Sequence, residues 1–137
     1  MNQALAKFQP IAHAAFRIAF GFLFWSHGAQ KLLGWFGGAG PDGGPAELMS
    51  RFGVAGILEF FGGIAIMLGL FTQPIAFILA GEMAVAYFWA HVGGGGLWPW
   101  SNNGERAAMY SFAFLYLSTV GAGSVSVDAR LAAGKQV

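Results

Sequence analysis

Long apolar segments alternate with short polar or glycine-rich segments along the whole chain. The apolar segments predict four helices, at about residues 11–35, 54–71, 74–92 and 106–121. Their lengths are close to the roughly 20 residues that a helix needs to cross a bilayer. The pattern therefore predicts an all-α integral membrane protein, an up-and-down bundle of four transmembrane helices that forms a single domain over residues 1–137.

The first predicted helix carries a stripe of ionisable residues on one face. A helix rotates about 100° per residue, which places four ionisable residues within an arc of roughly 80°: His13, Arg17, His27 and Lys31. The same arc contains Gly21, Phe24 and Gly28. An ionisable side chain inside a bilayer costs a few kcal/mol, so such residues normally face the protein interior and find partners there. We expect the other helices to supply groups of opposite charge.

Arg17 has a candidate partner at a similar depth. It lies about six residues into the first helix, and Glu82 lies about eight residues into the third helix from the same side, so their depths agree within about 3 Å. We therefore predict an intramembrane ion pair between Arg17 and Glu82.

A second group of polar residues falls in the opposite half of the membrane, which we name the loop side because the first and third interhelical loops lie there. Its members form a predicted intramembrane polar cluster that could bind a ligand or carry protons: His27, Lys31, Glu59, His91 and Glu105. Glu59 shares a face with Gly56 and Gly63, which would let another helix approach closely. Glu59 could therefore pair with Lys31 or His27 to hold the bundle together, act directly on protons or a ligand, or do both.

Two members of the cluster have alternative interpretations. Glu82 and His91 are nine residues apart, about 180° around a straight helix, so both face the bundle centre only if the helix ends or unwinds near Ala90. Glu105 could simply complement the dipole of the fourth helix, capped by the preceding Asn102 or Asn103.

Composition excludes several classes of function. The chain is 56% hydrophobic and only 9% charged, whereas soluble domains average about 25% charged residues. Its net charge of +1 and the lack of a Lys/Arg cluster argue against a nucleic-acid partner. The absence of cysteine excludes thiol chemistry by this chain, and His13 and His27 are about 21 Å apart along one helix, so we predict no metal site.

The distribution of basic residues predicts the orientation in the membrane. Lys7, Arg130 and Lys135 flank the termini, against Arg51 and Arg106 in the loops. This small excess favours cytoplasmic termini and an external loop side.

Four motifs resemble the DoxX family of small bacterial membrane proteins over nearly the whole chain. These motifs are R-I-A-F-G-F-L-F-W-S-H-G-A-Q-K-L from Arg17, E-F-F-G-G-I-A-I-M-L-G-L-F-T from Glu59, N-G-E-R-A from Asn103 and G-A-G-S-V-S-V-D-A from Gly121. The resemblance implies a four-helix inner-membrane protein, with relatives linked to membrane redox complexes that include a thiosulfate:quinone oxidoreductase and a partner in thiol and oxidant defence. The matching polar positions are Arg17, His27, Lys31, Glu59, Glu105 and Asp128. The chain departs from the family at Ser124 and Val125, where basic and aromatic residues are common, so the resemblance gives less support for contact of this end with an anionic partner in the same way.

Three hypotheses of function follow. The leading hypothesis is that the chain is a subunit or partner of a quinone-linked membrane oxidoreductase system, with quinone as a possible ligand. If the chain is an enzyme, it is an oxidoreductase subunit without a redox cofactor of its own. The second is a non-enzymatic membrane scaffold or assembly factor, and the third is a small transporter. The glycine faces and the apolar surface of so small a bundle also predict a protein partner or a homo-oligomer in the bilayer.

Overall fold

The computed structural model describes residues 2–135, and every regular element within them is helical. In chain order these are α1 (Asn2–Ala6), α2 (Gln9–Leu33), α3 (Arg51–Leu68), α4 (Thr72–Ala86), α5 (Gly93–Gly95), α6 (Pro99–Asn102), α7 (Glu105–Val120) and α8 (Val127–Gly134). A π-helical segment, Tyr87–Val92, joins α4 to α5, and two 3₁₀ turns, Trp35–Gly37 and Pro41–Gly43, lie in the first loop.

The four apolar segments form α2, α3, α4 with its π-helical continuation, and α7. Their ends differ from the predicted ones by up to three residues, because local capping sets them. The Ser50 side chain accepts a hydrogen bond from the Gly53 amide and starts α3 at Arg51. Gly34 and Gly69 adopt left-handed conformations that end α2 and α3.

Two helical segments of the described chain are long and apolar enough to cross a bilayer, Arg51–Leu68 and Thr72–Gly95. By contrast, α2 is long enough but contains two basic side chains, Arg17 and Lys31. The 16 residues of α7 extend about 24 Å, less than the usual 30 Å hydrocarbon thickness. That α2 and α7 also span the membrane, as a four-helix bundle requires, stays a prediction.

The long helices pack as two close pairs, α2 with α3 and α4 with α7, and the hairpin between α3 and α4 connects the pairs. Glycines bring α2 and α3 together: a Cβ at Gly63 would lie 2.7 Å from the Trp25 Cβ, and one at Gly21 would lie 2.9 Å from the Met67 amide nitrogen. The side chains that fill the centre are almost fully buried: Phe24, Ile66, Leu79, Phe114 and Leu117. This arrangement turns the polar stripe of α2 toward α3.

Candidate functional site

Lys31 and Glu59 form an ion pair where α2 crosses α3. The Lys31 ammonium donates a hydrogen bond to Glu59 Oε1, and Glu59 is only 1% exposed. Gly56 makes room for the lysine, since a Cβ at Gly56 would lie 2.8 Å from the Lys31 Cβ. One of the two partners considered for Glu59 is thereby confirmed. Burial of Glu59 strengthens this attraction, because little water reaches the carboxyl group, although the Lys31 side chain is 18% exposed.

Glu82, predicted to pair with Arg17, instead lies near this ion pair on α4. Glu59 lies about 13 Å before the end of α3 and Glu82 about 15 Å after the start of α4, so the hairpin brings them to the same depth. Glu82 is within electrostatic range of Glu59 and Lys31. Both carboxyl oxygens of Glu82, and Oε2 of Glu59, are buried without a hydrogen-bond partner among residues 2–135.

His27 and Tyr110 extend the site toward α7. Their rings meet edge to face with centroids 6.1 Å apart, and both residues are half-buried. Tyr110 is within electrostatic range of Glu59 and Arg106. We define the buried carboxylate site as Lys31, Glu59 and Glu82, with His27 and Tyr110 beside it. Its one ammonium group and two carboxyl groups can donate and accept hydrogen bonds and exchange protons.

The predicted Arg17–Glu82 ion pair is wrong. Arg17 is 1% exposed, but its guanidinium donates to four backbone carbonyls, those of Ile66 (2.6 Å), Met67 (2.5 Å), Ala122 (3.2 Å) and Val125 (2.7 Å). The last carbonyls of a helix carry partial negative charge, so the end of α3, with the turn after α7, satisfies the hydrogen bonds of the cation without Glu82. Depth alone did not reveal these acceptors, and Glu82 faces the loop-side cluster instead.

Two predicted members of the cluster lie outside it. In the π-helical segment, His91 shares a 3.1 Å hydrogen bond between its Nδ1 and the Asn102 carbonyl. Glu105 is exposed in the first turn of α7, consistent with a role in complementing the helix dipole. Neither His91 nor Glu105 hydrogen-bonds to Lys31 or Glu59 in the described part of the chain. The widened helix directs His91 to the third loop.

Asn102 does not cap α7 directly, since Gly104 occupies the N-cap position. Instead, the Asn102 side chain accepts a hydrogen bond from the Gly104 amide (2.7 Å) and donates one to the Gly96 carbonyl (2.8 Å). This buried amide thereby fixes the third loop against the start of α7, which keeps His91 away from the carboxylate site.

The turn after α7 closes the opposite end of the bundle. Asp128 accepts hydrogen bonds from the backbone amides of Phe71 (2.8 Å) and Thr72 (2.9 Å), which are otherwise free at the start of α4. His13 shares a 3.0 Å hydrogen bond between its Nε2 and the Gly121 carbonyl. Asp128 and His13 are therefore structural residues at the end of the bundle opposite the loop side.

Asp128 gives a direct test of this closure. Replacing Asp128 with alanine removes the cap of α4 and should lower the free energy of unfolding by about 1 kcal/mol. Asp128→Asn keeps one acceptor oxygen and should lose less. Thermal unfolding of both variants in detergent checks this, and equal melting temperatures for wild type and Asp128→Ala would contradict the cap.

Two open depressions lie at the ends of the molecule and not at the carboxylate site. One is lined by a loop-side set, Pro99, Trp100, Asn103, Glu105 and Arg106. The other is lined by a set beside the closing turn, Phe71, Thr72, Gln73, Pro74, Gly121, Ala122 and Asp128. In residues 2–135, no group of three or more His, Asp or Glu side chains is arranged to hold a metal ion.

Comparison with known proteins identifies the family. An uncharacterized protein of Haemophilus influenzae is 43% identical over 130 residues, which cover 90% of this chain and 93% of that protein. Inner membrane protein YphA of Escherichia coli is 27% identical over 129 residues, which cover 89% of this chain and 91% of YphA. No solved structure matches significantly. The DoxX family model matches residues 12–92, which include α3, α4 and all three members of the buried carboxylate site. The chain therefore belongs to the DoxX family.

Proposed function

We propose that this chain is a subunit or partner of a quinone-linked oxidoreductase system in the bacterial inner membrane. The observation that carries the proposal is the buried carboxylate site, in which three carboxyl oxygens beside Lys31 have no hydrogen-bond partner among residues 2–135. Ionisable groups inside a membrane are costly, and they commonly mark ligand sites or proton pathways. The name of the Escherichia coli relative, inner membrane protein YphA, supports the location.

The site has the groups that a quinone head requires. A quinone offers carbonyl oxygens, which accept hydrogen bonds from an ammonium group or a protonated carboxyl group, and a quinol offers hydroxyl groups to carboxyl oxygens. Lys31 on α2 and Glu82 on α4 supply these two kinds of group from the two helices that flank α3. The half-buried Tyr110 ring, which packs on the core side chain Phe24 with centroids 5.1 Å apart, provides apolar surface for the flat head.

The redox step itself requires a partner. Reduction of a quinone consumes two electrons and two protons, and this chain has no cysteine that could supply electrons. In the proposal, a cofactor-bearing protein docked on the loop side delivers the electrons, while the carboxylate site binds the quinone head and delivers protons to it. With cytoplasmic termini, that partner would be periplasmic.

A scaffold function is the alternative, and one feature favours it. The Lys31–Glu59 pair is complete without a ligand, and both open depressions lie away from it. A charge pair that only sets the register of α2 against α3 would have these properties. A small transporter ranks third, and net substrate flux into liposomes would support it.

Quinone binding separates the first two functions. We expect the purified chain in lipid nanodiscs to bind a short-chain quinone, and Glu82→Gln to weaken binding at least about tenfold, equivalent to about 1.4 kcal/mol. Glutamine keeps the size of the side chain but cannot ionise, so the change tests the carboxyl group. Equilibrium dialysis measures the dissociation constant.

Glu47→Gln is the matched control. Glu47 is exposed in the first loop, so this substitution makes the same chemical change away from the site. It should bind quinone like the wild type. Absence of quinone binding by the wild type, or equal affinities in all three proteins, would favour the scaffold function.

A further inference from the structure

We infer that the buried carboxylate site stores one exchangeable proton, shared between Glu59 and Glu82. The site contains two carboxyl groups but only one ammonium group, that of Lys31, which already pairs with Glu59 Oε1. A second carboxylate buried without a partner would cost several kcal/mol, whereas a carboxyl group that keeps its proton carries no charge.

Burial makes this cost unavoidable. Glu59 is 1% exposed, and the free oxygens of both glutamates are shielded from solvent by the protein itself. The two carboxyl groups lie at the same depth on α3 and α4, and Glu82 is within electrostatic range of both Glu59 and Lys31. In the inferred exchange the proton resides on either glutamate while Lys31 balances the charge of the other. The pair then resembles two acids that share one proton.

The charged and titratable groups on the surrounding helices do not supply an obvious second counter-charge. On α7, Tyr110 is neutral when protonated, and Arg106 is exposed to the loop side. On α2, His27 is the remaining titratable neighbour, half-buried against Tyr110. His27 is therefore the one alternative that the experiment must test, since a protonated His27 would balance the second carboxylate.

The stored proton would leave and return through the loop side, where His27 and Tyr110 lie between the carboxylates and Arg106. The step breaks an O–H bond of one glutamate and forms an O–H or N–H bond on the acceptor, with no change in redox state. This inference concerns the site of the proposed function but does not require quinone. Its test uses protein without added quinone, so the two can fail separately.

Infrared spectroscopy of the nanodisc-embedded chain tests the inference. At neutral pH the wild type should show the carbonyl stretch of one protonated carboxylic acid, sensitive to exchange into deuterated water. Glu82→Gln should lose this band, and so should Glu59→Gln, because the remaining glutamate becomes the sole partner of Lys31. Lys31→Met should leave both carboxyl groups protonated and increase the band about twofold.

Several results would overturn the inference. A band that persists in Glu59→Gln would assign the proton to Glu82 alone and contradict sharing. A wild type without the band, with a band appearing in His27→Gln, would assign the balancing charge to His27.

Glu47→Gln should match the wild type, and Glu82→Asp should keep the band with a shifted frequency. Circular dichroism of every variant ensures that a lost band does not reflect unfolding, and a helical Glu82→Gln that retains the band contradicts the inference.

Discussion

Replacing Arg17 with alanine should cause the largest loss of stability of any single substitution outside the carboxylate site. The guanidinium holds four carbonyls from α3 and from the turn after α7, and alanine removes this donor from all of them, although the Ile66 carbonyl keeps the Gly69 amide. Each unsatisfied buried group costs about 1–3 kcal/mol, so we expect a loss of about 3–5 kcal/mol in the free energy of unfolding. Denaturant titration in detergent micelles, followed by circular dichroism, measures it.

Two further variants give this experiment its controls. Arg17→Lys keeps the charge but offers a compact ammonium group instead of a planar fork, so it should recover part of the loss. Arg130→Ala removes an exposed arginine from α8 and should change stability by no more than about 0.5 kcal/mol. Equal stability of Arg17→Ala and Arg130→Ala would contradict the role of Arg17.

Adding a single methyl group at Gly28 should also destabilise the chain strongly. A Cβ there would lie 2.6 Å from the Cα of Phe60, a backbone atom that cannot move without separating α2 from α3. Overpacking of this kind costs about 1–3 kcal/mol. The same shift would pull Lys31 away from Glu59, so Gly28→Ala should weaken quinone binding as well as stability.

Gly81→Ala is the matched control for this prediction. Gly81 lies inside α4, one residue before Glu82, and a Cβ there would meet no atom within 4 Å. Alanine favours the helix over glycine by roughly 0.5–1 kcal/mol, so Gly81→Ala should be slightly stabilising. In thermal unfolding, the structure predicts a lower melting temperature for Gly28→Ala and a slightly higher one for Gly81→Ala. Equal decreases in the two variants would contradict the close crossing of α2 and α3 at glycine.

Helical periodicity predicted most of the buried face of α2, although Ala29, outside the predicted arc, is also fully buried. The 100° rotation per residue grouped Arg17, Gly21, Phe24 and Gly28 on one arc, and all four are buried. The helix segments were predicted to within a few residues, because a long apolar run between glycine-rich loops has few other interpretations. Capping by Ser50 and by the left-handed Gly69 set the ends that hydrophobicity could not locate.

Pairing between helices was harder to predict than the helices. Charge and depth suggested that Arg17 meets Glu82, but helix-end carbonyls are acceptors in every sequence and no residue type marks them. The position of Glu82 did have a signal in the sequence. Glu59 and Glu82 lie at similar distances on either side of the short turn before Thr72, and a hairpin brings such residues to one level.

The π-helical segment explains the other difference. A straight continuation of α4 would place His91 opposite Glu82, and the wider turn over Tyr87–Val92 instead directs His91 to the Asn102 carbonyl. Apolar periodicity carries no signal for a π segment, although the four glycines that follow, residues 93–96, indicated that regular structure weakens there.

The most direct test of the proposed function is purification of the tagged chain from its native membrane in a mild detergent. The eluate is analysed for extracted quinone and for co-purified proteins that carry a redox cofactor. The proposal predicts a stoichiometric redox partner together with bound quinone, and a quinone content that falls in Glu82→Gln while Glu47→Gln matches the wild type. A chain that elutes alone or only with itself, carrying phospholipid but no quinone, would contradict the proposal and favour the scaffold function.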